Sequence, residues 1–514
     1  MKLETKEFSI FNLQAVFELI EHKKFVDAEE MIRSLLKVQP NNSDGLWALG
    51  TLADKTGQFD QAFQLLGKAA FLAPKQSGPL LAFANFLFER GELEKAQAVF
   101  QRAIDKFPSS VHVVFKYARY LLATNQIKSA EVALNRCLEI SPYHSGALLS
   151  LSELLKEPEA ETIVGELHDI VRDAIEVVAT EQSSKDSLPV STSREICELY
   201  FASANCNFKR RSHQLAFEDW KKANQYQLSN CEFRTVEMLP FFKKLREYFD
   251  QNLLANSPFI SSMKNTIKQE RHASISPLFI VGMPRAGTTL IEQILTCYPE
   301  IETAGETDYI ASEVVDYLVE HTQTSYPELM SICDPELLSK AGEGYLSKLA
   351  SGHANARYVI DKMPANFQSL GLIKLIFPNA TILHVTREPR AIAFSIFRNY
   401  FAENEPYFCD LEEFALYYHQ YQKLIQHWLQ MGISMFEIEY ENLVRNPKES
   451  LEPVISSLGL SWSDTCLAFF QQTTAVHTIS RQQVRKPIYD SSIEAWQDFE
   501  EELKPFEVAL AKYT

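Results

Sequence analysis

Residues 282–289, GMPRAGTT, place an arginine, a glycine and two threonines between a short apolar run, FIVG, and the apolar-periodic stretch TTLIEQIL. Strand, tight loop and helix start in that order suit a phosphate-binding loop. Backbone N–H groups close around an oxyanion, and the helix adds its positive end. Nucleotide triphosphatases place a lysine after the second glycine; here Thr288 stands there. Arg285 supplies positive charge from inside the loop, and Thr288 and Thr289 offer hydroxyls. That combination fits an anion of smaller charge and no metal. The plainer alternative is a loop that needs Gly287 only to turn.

A second stretch, TILHVTREPRAIAFSIFRNYF, runs from a candidate strand through Thr386 and Arg387 into a proline turn and a helix carrying Ser395. An arginine fork and a hydroxyl on the same side suit a terminal phosphate. Arg387 could equally pair a carboxylate. Together, P-R-x-G-T-T after a first strand and R-x-P-R with a serine eight residues past its first arginine resemble the sulfotransferase family. The resemblance extends over about residues 277–500. It implies 3′-phosphoadenosine 5′-phosphosulfate (PAPS) as donor and adenosine 3′,5′-bisphosphate as product. The loop Pro284, Arg285, Ala286, Gly287, Thr288 and Thr289 would hold the 5′-phosphosulfate, and Arg387 with Ser395 the 3′-phosphate. Arginine in the loop, rather than lysine, resembles the tyrosylprotein branch.

A hydroxyl acceptor must lose its proton as it attacks sulfur, so the reaction requires a base. In that branch a Gly-Glu follows the loop at about the distance of ETAGETDYI, which makes Glu306 the matching general base. Otherwise Glu306 caps a helix or faces solvent. The resemblance also puts Lys362 of VIDKMPAN on the sulfuryl group, against the plainer reading of a solvated charge. It puts Ser480 on the phosphosulfate, within a late S-x-x-Q-V-x-K-P segment that includes Gln483, Val484, Lys486 and Pro487. Tyr440 would lie near the nucleotide, or else in the core. The implied reaction is in-line transfer to a protein or peptide tyrosine or a small-molecule hydroxyl, with Arg285, Lys362 and Ser480 holding the sulfuryl oxygens. Two features depart from the branch. Ala495 precedes Trp496 where a lysine is usual. Asp308 and Glu313 follow Glu306 where arginines favour acidic peptides.

The elements that must position these residues form an α/β domain. Candidate strands at 278–282, 357–361, 380–386 and 434–439 alternate with helical patterns, which argues for a mostly parallel sheet with ligands at its carboxyl end. His384, inside one strand, reads as a core histidine. His419, His427 and His477 have no metal-ligand spacing.

The N-terminal third is an array. Pro40, Pro74, Pro108 and Pro142 recur every 34 residues, as do Ala28, Ala62, Ala96 and Ala130. Ala62, Leu66 and Ala69 return as Ala96, Phe100 and Ala103, then as Ala130, Leu134 and Cys137, one face of a helix each time. Gly57, Gly91 and Asn125 stand at the turn before that helix. This period resembles the tetratricopeptide repeat. The expected organisation is an all-α repeat superhelix, about four repeats over 1–157, then degenerate helical repeats and a connector over 158–275, then a P-loop-like sulfotransferase domain over 276–514.

Net charge of −17 argues against a general binder of nucleic acid or anionic membrane. Eight dispersed cysteines, no C-x-x-C, no apolar leader and no long apolar run point to reduced thiols, no zinc, no membrane span and a cytoplasmic protein. The repeats are expected to bind a protein or peptide, or to join two copies as a homodimer. Two other functions compete. One is an ATP- or GTP-dependent phosphotransferase, which would want the loop lysine. The other is a repeat-based scaffold with an inactive nucleotide-binding domain.

Overall fold

A computed structural model describes residues 12–22, 24–155, 161–182, 190–250, 275–353, 356–402, 405–471, 484, 487–488 and 490–513. It divides into two compact units, Met1–Leu151 and Ser152–Thr514.

The first unit is a run of helix–turn–helix pairs. They are α1 (Leu13–Glu21) with α2 (Phe25–Val38), α3 (Ser43–Lys55) with α4 (Phe59–Leu72), α5 (Ser77–Glu89) with α6 (Leu93–Lys106), and α7 (Val111–Ala123) with α8 (Ile127–Ile140). Asn12 and Asn42 cap α1 and α3 by accepting from backbone N–H groups of the first turn. Ala28, Ala62, Ala96 and Ala130 are each 0% exposed, so the small side chain at that register is what lets paired helices close. The turns at Gly57, Gly91 and Asn125 have φ of 76°, 74° and 60°, the left-handed conformation their residue types tolerate. Cys137, at an alanine position of the earlier repeats, is likewise fully buried.

Helix α9 (Ser145–Leu154) spans the division. In the second unit come α10 (Glu161–Gln182), α11 (Val190–Lys209) and α12 (His213–Ser229). Arg211 takes the turn position between α11 and α12 with φ 58°, so this pair keeps the repeat's turn without its glycine. Helix α12 docks on the α/β part. Asn224 Nδ2 donates to the Phe397 carbonyl at 2.7 Å, and Gln227 Nε2 donates to the Phe401 carbonyl. Phe397 closes the helix Pro389–Phe397, so the buried Asn224 amide meets one of the carbonyls that a helix end leaves unpaired. Phe217 stacks on Phe397, and Trp220 packs on Phe499.

Five parallel strands form the sheet: β1 (Ser276–Gly282), β2 (Ile301–Gly305), β3 (Tyr358–Asp361), β4 (Thr381–Thr386) and β5 (Phe436–Glu439), in the order β2-β3-β1-β4-β5. Leu278, Phe279, Ile280 and Val281 are all 0% exposed, so both faces of β1 are covered. The four expected strands are present with shifted ends. β2 was not expected: its sequence, IETAG, has a single large aliphatic residue, because an edge strand half open to solvent needs no apolar run. The order has a consequence for chemistry. The chain leaves β1 toward β2 and β3 on one side and later returns to β4 and β5 on the other. The loop after β1 therefore lies in the crevice where the winding direction reverses.

No helix among the described residues is long and apolar enough to cross a membrane.

Candidate active site

The loop after β1 turns at two left-handed residues, Arg285 with φ 69° and Gly287 with φ 108°. Gly287 is the N-cap of the helix Thr288–Leu295 and brings no side chain over its first N–H groups. A Cβ there would fall 2.4 Å from Cδ2 of Tyr440, which lies directly against the glycine. Arginine in a left-handed conformation carries strain, and two contacts hold it. Its Nε donates to Ser395 Oγ at 2.9 Å, and its carbonyl accepts from Arg387 Nη1 at 2.9 Å. Arg387 Nη2 also donates to the Ser492 carbonyl at 2.6 Å, and its guanidinium stands 4.4 Å from the centre of the Tyr440 ring. Tyr440 Oη and Ser492 Oγ are 2.8 Å apart. Arg285, Arg387, Ser395, Tyr440 and Ser492 thus surround the β4/β5 side of the loop.

The β2/β3 side carries opposite charge. Lys362, one residue past β3, is 0% exposed. Its Nζ contacts Glu306 Oε1 and lies 3.5 Å from Glu292 Oε2. A buried ammonium is tolerable only with such partners. Lys362 is therefore a buried counterion and not a solvated surface charge. Glu306 follows Gly305, the last residue of β2, and its side chain is 42% exposed, so the carboxylate faces both the buried ammonium and the open side. Glu292, on the helix Thr288–Leu295, is 4% exposed and accepts from Thr303 Oγ1 at 2.6 Å. Burial pushes its carboxyl above the usual carboxylate range, and the Lys362 ammonium opposes that shift most strongly. Behind Lys362, Asp361 is 0% exposed and accepts from Tyr345 Oη at 2.8 Å and Asn366 Nδ2 at 3.1 Å. Burial pushes Asp361 up to about 7.

Of the residues singled out in the sequence, Arg285, Arg387, Ser395 and Tyr440 thus gather on one side of the loop, and Glu306 and Lys362 on the other. Ala286, Thr288 and Thr289 are buried in the loop and first helical turn, and Pro284 is half-buried. Val484 is buried. Ser480, Gln483 and Lys486 lie outside the described residues. His384 is buried against the Tyr421 hydroxyl, with burial pushing it down to about 4, as suits a neutral core histidine. Glu292 and Ser492 escaped the sequence reading. Glu292 looks like the polar position of an amphipathic helix; the available signal was that a short helix after a buried central strand is covered on nearly every side. Among the described residues no group of three or more His, Cys, Asp or Glu side chains is placed to hold a metal ion.

Residues 277–464 match the sulfotransferase family, and residues 87–142 match the tetratricopeptide repeat. An uncharacterized protein of Aquifex aeolicus (strain VF5) is 29% identical over 307 residues, 58% of this chain and 39% of its own length. Protein-tyrosine sulfotransferase 2 of Gallus gallus is 26% identical over 219 residues, 41% of this chain and 58% of its own. The chain thus spans less than two thirds of the length of either relative. Among solved structures, the sulfotransferase domain of the Synechococcus PCC 7002 olefin synthase is 20% identical, with coverage of 46% of this chain and 97% of that one and a TM-score of 0.32. A match over the strands and loop that build both groups, joined to one over the repeats, shows that the chain carries a sulfotransferase-family domain following tetratricopeptide repeats.

Proposed function

We propose that this chain transfers a sulfuryl group from PAPS to a hydroxyl acceptor, with Glu306 as general base. The observation that carries the proposal is the contact between Glu306 and the wholly buried Lys362, beside a loop whose helix begins at a glycine with no room for a side chain. The glycine gives backbone N–H groups a close approach to an anion, and Arg285 puts a guanidinium within the same loop. Those features fit the phosphosulfate end of the donor. On the β4/β5 side, Arg387 and Ser395 suit its 3′-phosphate, with the Tyr440 ring near the nucleotide. Ser480, Gln483, Val484 and Lys486 would complete the donor site.

PAPS brings an activated sulfuryl group on a good leaving group, so the protein's part is positioning and electrostatics. Glu306 takes the proton of the acceptor hydroxyl while the oxygen bonds to sulfur. The bond from sulfur to the bridging oxygen breaks, and adenosine 3′,5′-bisphosphate departs with the electron pair. Arg285 and Lys362 would hold the sulfuryl oxygens and offset the growing charge, with Ser480 joining them by the family resemblance. The acceptor is a protein or peptide tyrosine, or a small-molecule hydroxyl. The repeats favour a protein or peptide, since such arrays present extended binding faces.

The test is transfer of label from PAPS to a peptide library and to a metabolite extract. Glu306→Ala is expected to cut turnover by about 100-fold or more while calorimetry shows adenosine 3′,5′-bisphosphate still bound. Turnover unchanged in that variant would remove the base assignment. Binding of ATP in preference to the bisphosphate would remove the donor assignment.

A further inference from the structure

Glu292 is tied to both members of the Glu306–Lys362 pair. It lies 3.5 Å from Lys362 Nζ directly. It reaches Glu306 through the backbone: Thr303 Oγ1 donates to Glu292 and accepts from the Gly305 N–H at 2.9 Å, and Gly305 immediately precedes Glu306. The Gly305 carbonyl in turn accepts from the Lys362 N–H at 3.0 Å. One buried carboxylate thus braces the end of β2, the start of the base's residue and the ammonium opposite it.

We propose that Glu292 is a positioning residue, the second counterion that keeps Lys362 charged and in place when Glu306 takes up a proton. The proposal rests on the reading of Glu306 as general base. With all three groups ionised, the set carries one net negative charge. When the acceptor's proton reaches Glu306, that carboxylate becomes neutral and Lys362 loses a partner. An ammonium at 0% exposure with no carboxylate left would be driven to release its proton. Glu292 covers that state. Its own carboxyl is pushed up by burial and by repulsion from Glu306, and Lys362 opposes both. Neutralising Glu306 removes the repulsion, so the Glu292–Lys362 pair tightens as the proton arrives. Lys362 remains a cation able to face the sulfuryl oxygens throughout.

Two measurements test this on the full chain. The first needs no activity. Lysines carrying 13C at Cε are titrated by NMR, with the Lys362 signal identified by its loss in Lys362→Arg. Glu306→Gln mimics the protonated base and leaves Glu292 as the remaining carboxylate beside Lys362. In Glu292→Gln/Glu306→Gln neither carboxylate is left, and Lys362 is expected to release its proton at a clearly lower pH than in Glu306→Gln. Equal titration in the two variants overturns the proposal. The second is kinetic. Glu292→Gln is expected to lower kcat at least about tenfold, with the acceptor KM and the adenosine 3′,5′-bisphosphate Kd within about threefold, and Glu292→Asp to recover most of that loss. A Glu292→Gln kcat within twofold of the parent chain overturns it, and so does an equal loss in Glu292→Asp. If the double variant does not fold, the kinetic comparison decides. A parent chain that transfers nothing from PAPS removes the proposed function, and the lysine titration still decides the role of Glu292.

Discussion

Arg285 donates from Nε to Ser395 Oγ at 2.9 Å, joining the loop after β1 to the helix after β4 across 110 residues of chain. The bond fixes a guanidinium held in a left-handed backbone conformation, so Ser395 acts on the loop as well as on any phosphate it meets. Ser395→Ala is expected to weaken adenosine 3′,5′-bisphosphate by about tenfold, roughly the worth of one charge-assisted hydrogen bond. Calorimetry measures it. Arg285→Lys keeps the charge and loses the planar fork, and is expected to weaken binding at least as much.

Gly287 has no room for a methyl group. Its φ is 108° and a Cβ would lie 2.4 Å from Tyr440 Cδ2. Gly287→Ala is expected to cost about 2–5 kcal/mol in chemical denaturation, from backbone strain and overpacking together. Tyr440→Ala added to it relieves the clash but not the strain, so the double variant should recover only part of the loss. Full recovery would mean that φ at this position is unimportant.

Much of this site is legible in the sequence because its parts are local. A glycine, an arginine and two threonines between strand and helix signals define the loop by themselves, and 34-residue recurrence of alanine and proline defines the repeats. The rest depends on strand order, which local pattern does not carry. Local pattern alone leaves a solvated charge open for Lys362, which only the resemblance puts at the site; its burial shows once β3 is seen inside the sheet, with β2 at its flank bringing Glu306 across. Glu292 becomes a counterion only once Thr303, on a strand with hardly any apolar signal, lies against it. The Ser492 carbonyl and hydroxyl meet Arg387 and Tyr440 from more than 50 residues further along the chain. Long-range burial made these residues what they are.

Removing the Lys362 charge leaves a buried carboxylate behind. Glu292 is 4% exposed, and Lys362 is the only cation whose contact with it is seen among the described residues. Lys362→Met is therefore expected to destabilise the second unit by about 3–5 kcal/mol in urea unfolding. Adding Glu292→Gln removes the stranded charge, and the pair of changes should cost clearly less than Lys362→Met alone. Additive costs would show that Glu292 and Lys362 are not energetically coupled.

Asp361 gives the fold a pH dependence of definite sign. Burial raises its carboxyl from 3.8 to about 7, and the hydrogen bonds from Tyr345 and Asn366 offset only part of that. The native chain therefore holds a proton there that the unfolded chain has released. This contribution to stability is complete below about pH 4 and is lost as pH rises through about 7. At pH 8 the native state must keep a buried carboxylate at the residue before Lys362. Asp361→Asn stays neutral at every pH, so its denaturation midpoint should hold steady from pH 5 to 8 where that of the parent chain falls. The gap at pH 8 is expected to be on the order of a few kcal/mol. Parallel midpoints over that window would mean that Asp361 is ionised throughout. Its hydrogen bonds from Tyr345 and Asn366 would then have outweighed the cost of burial.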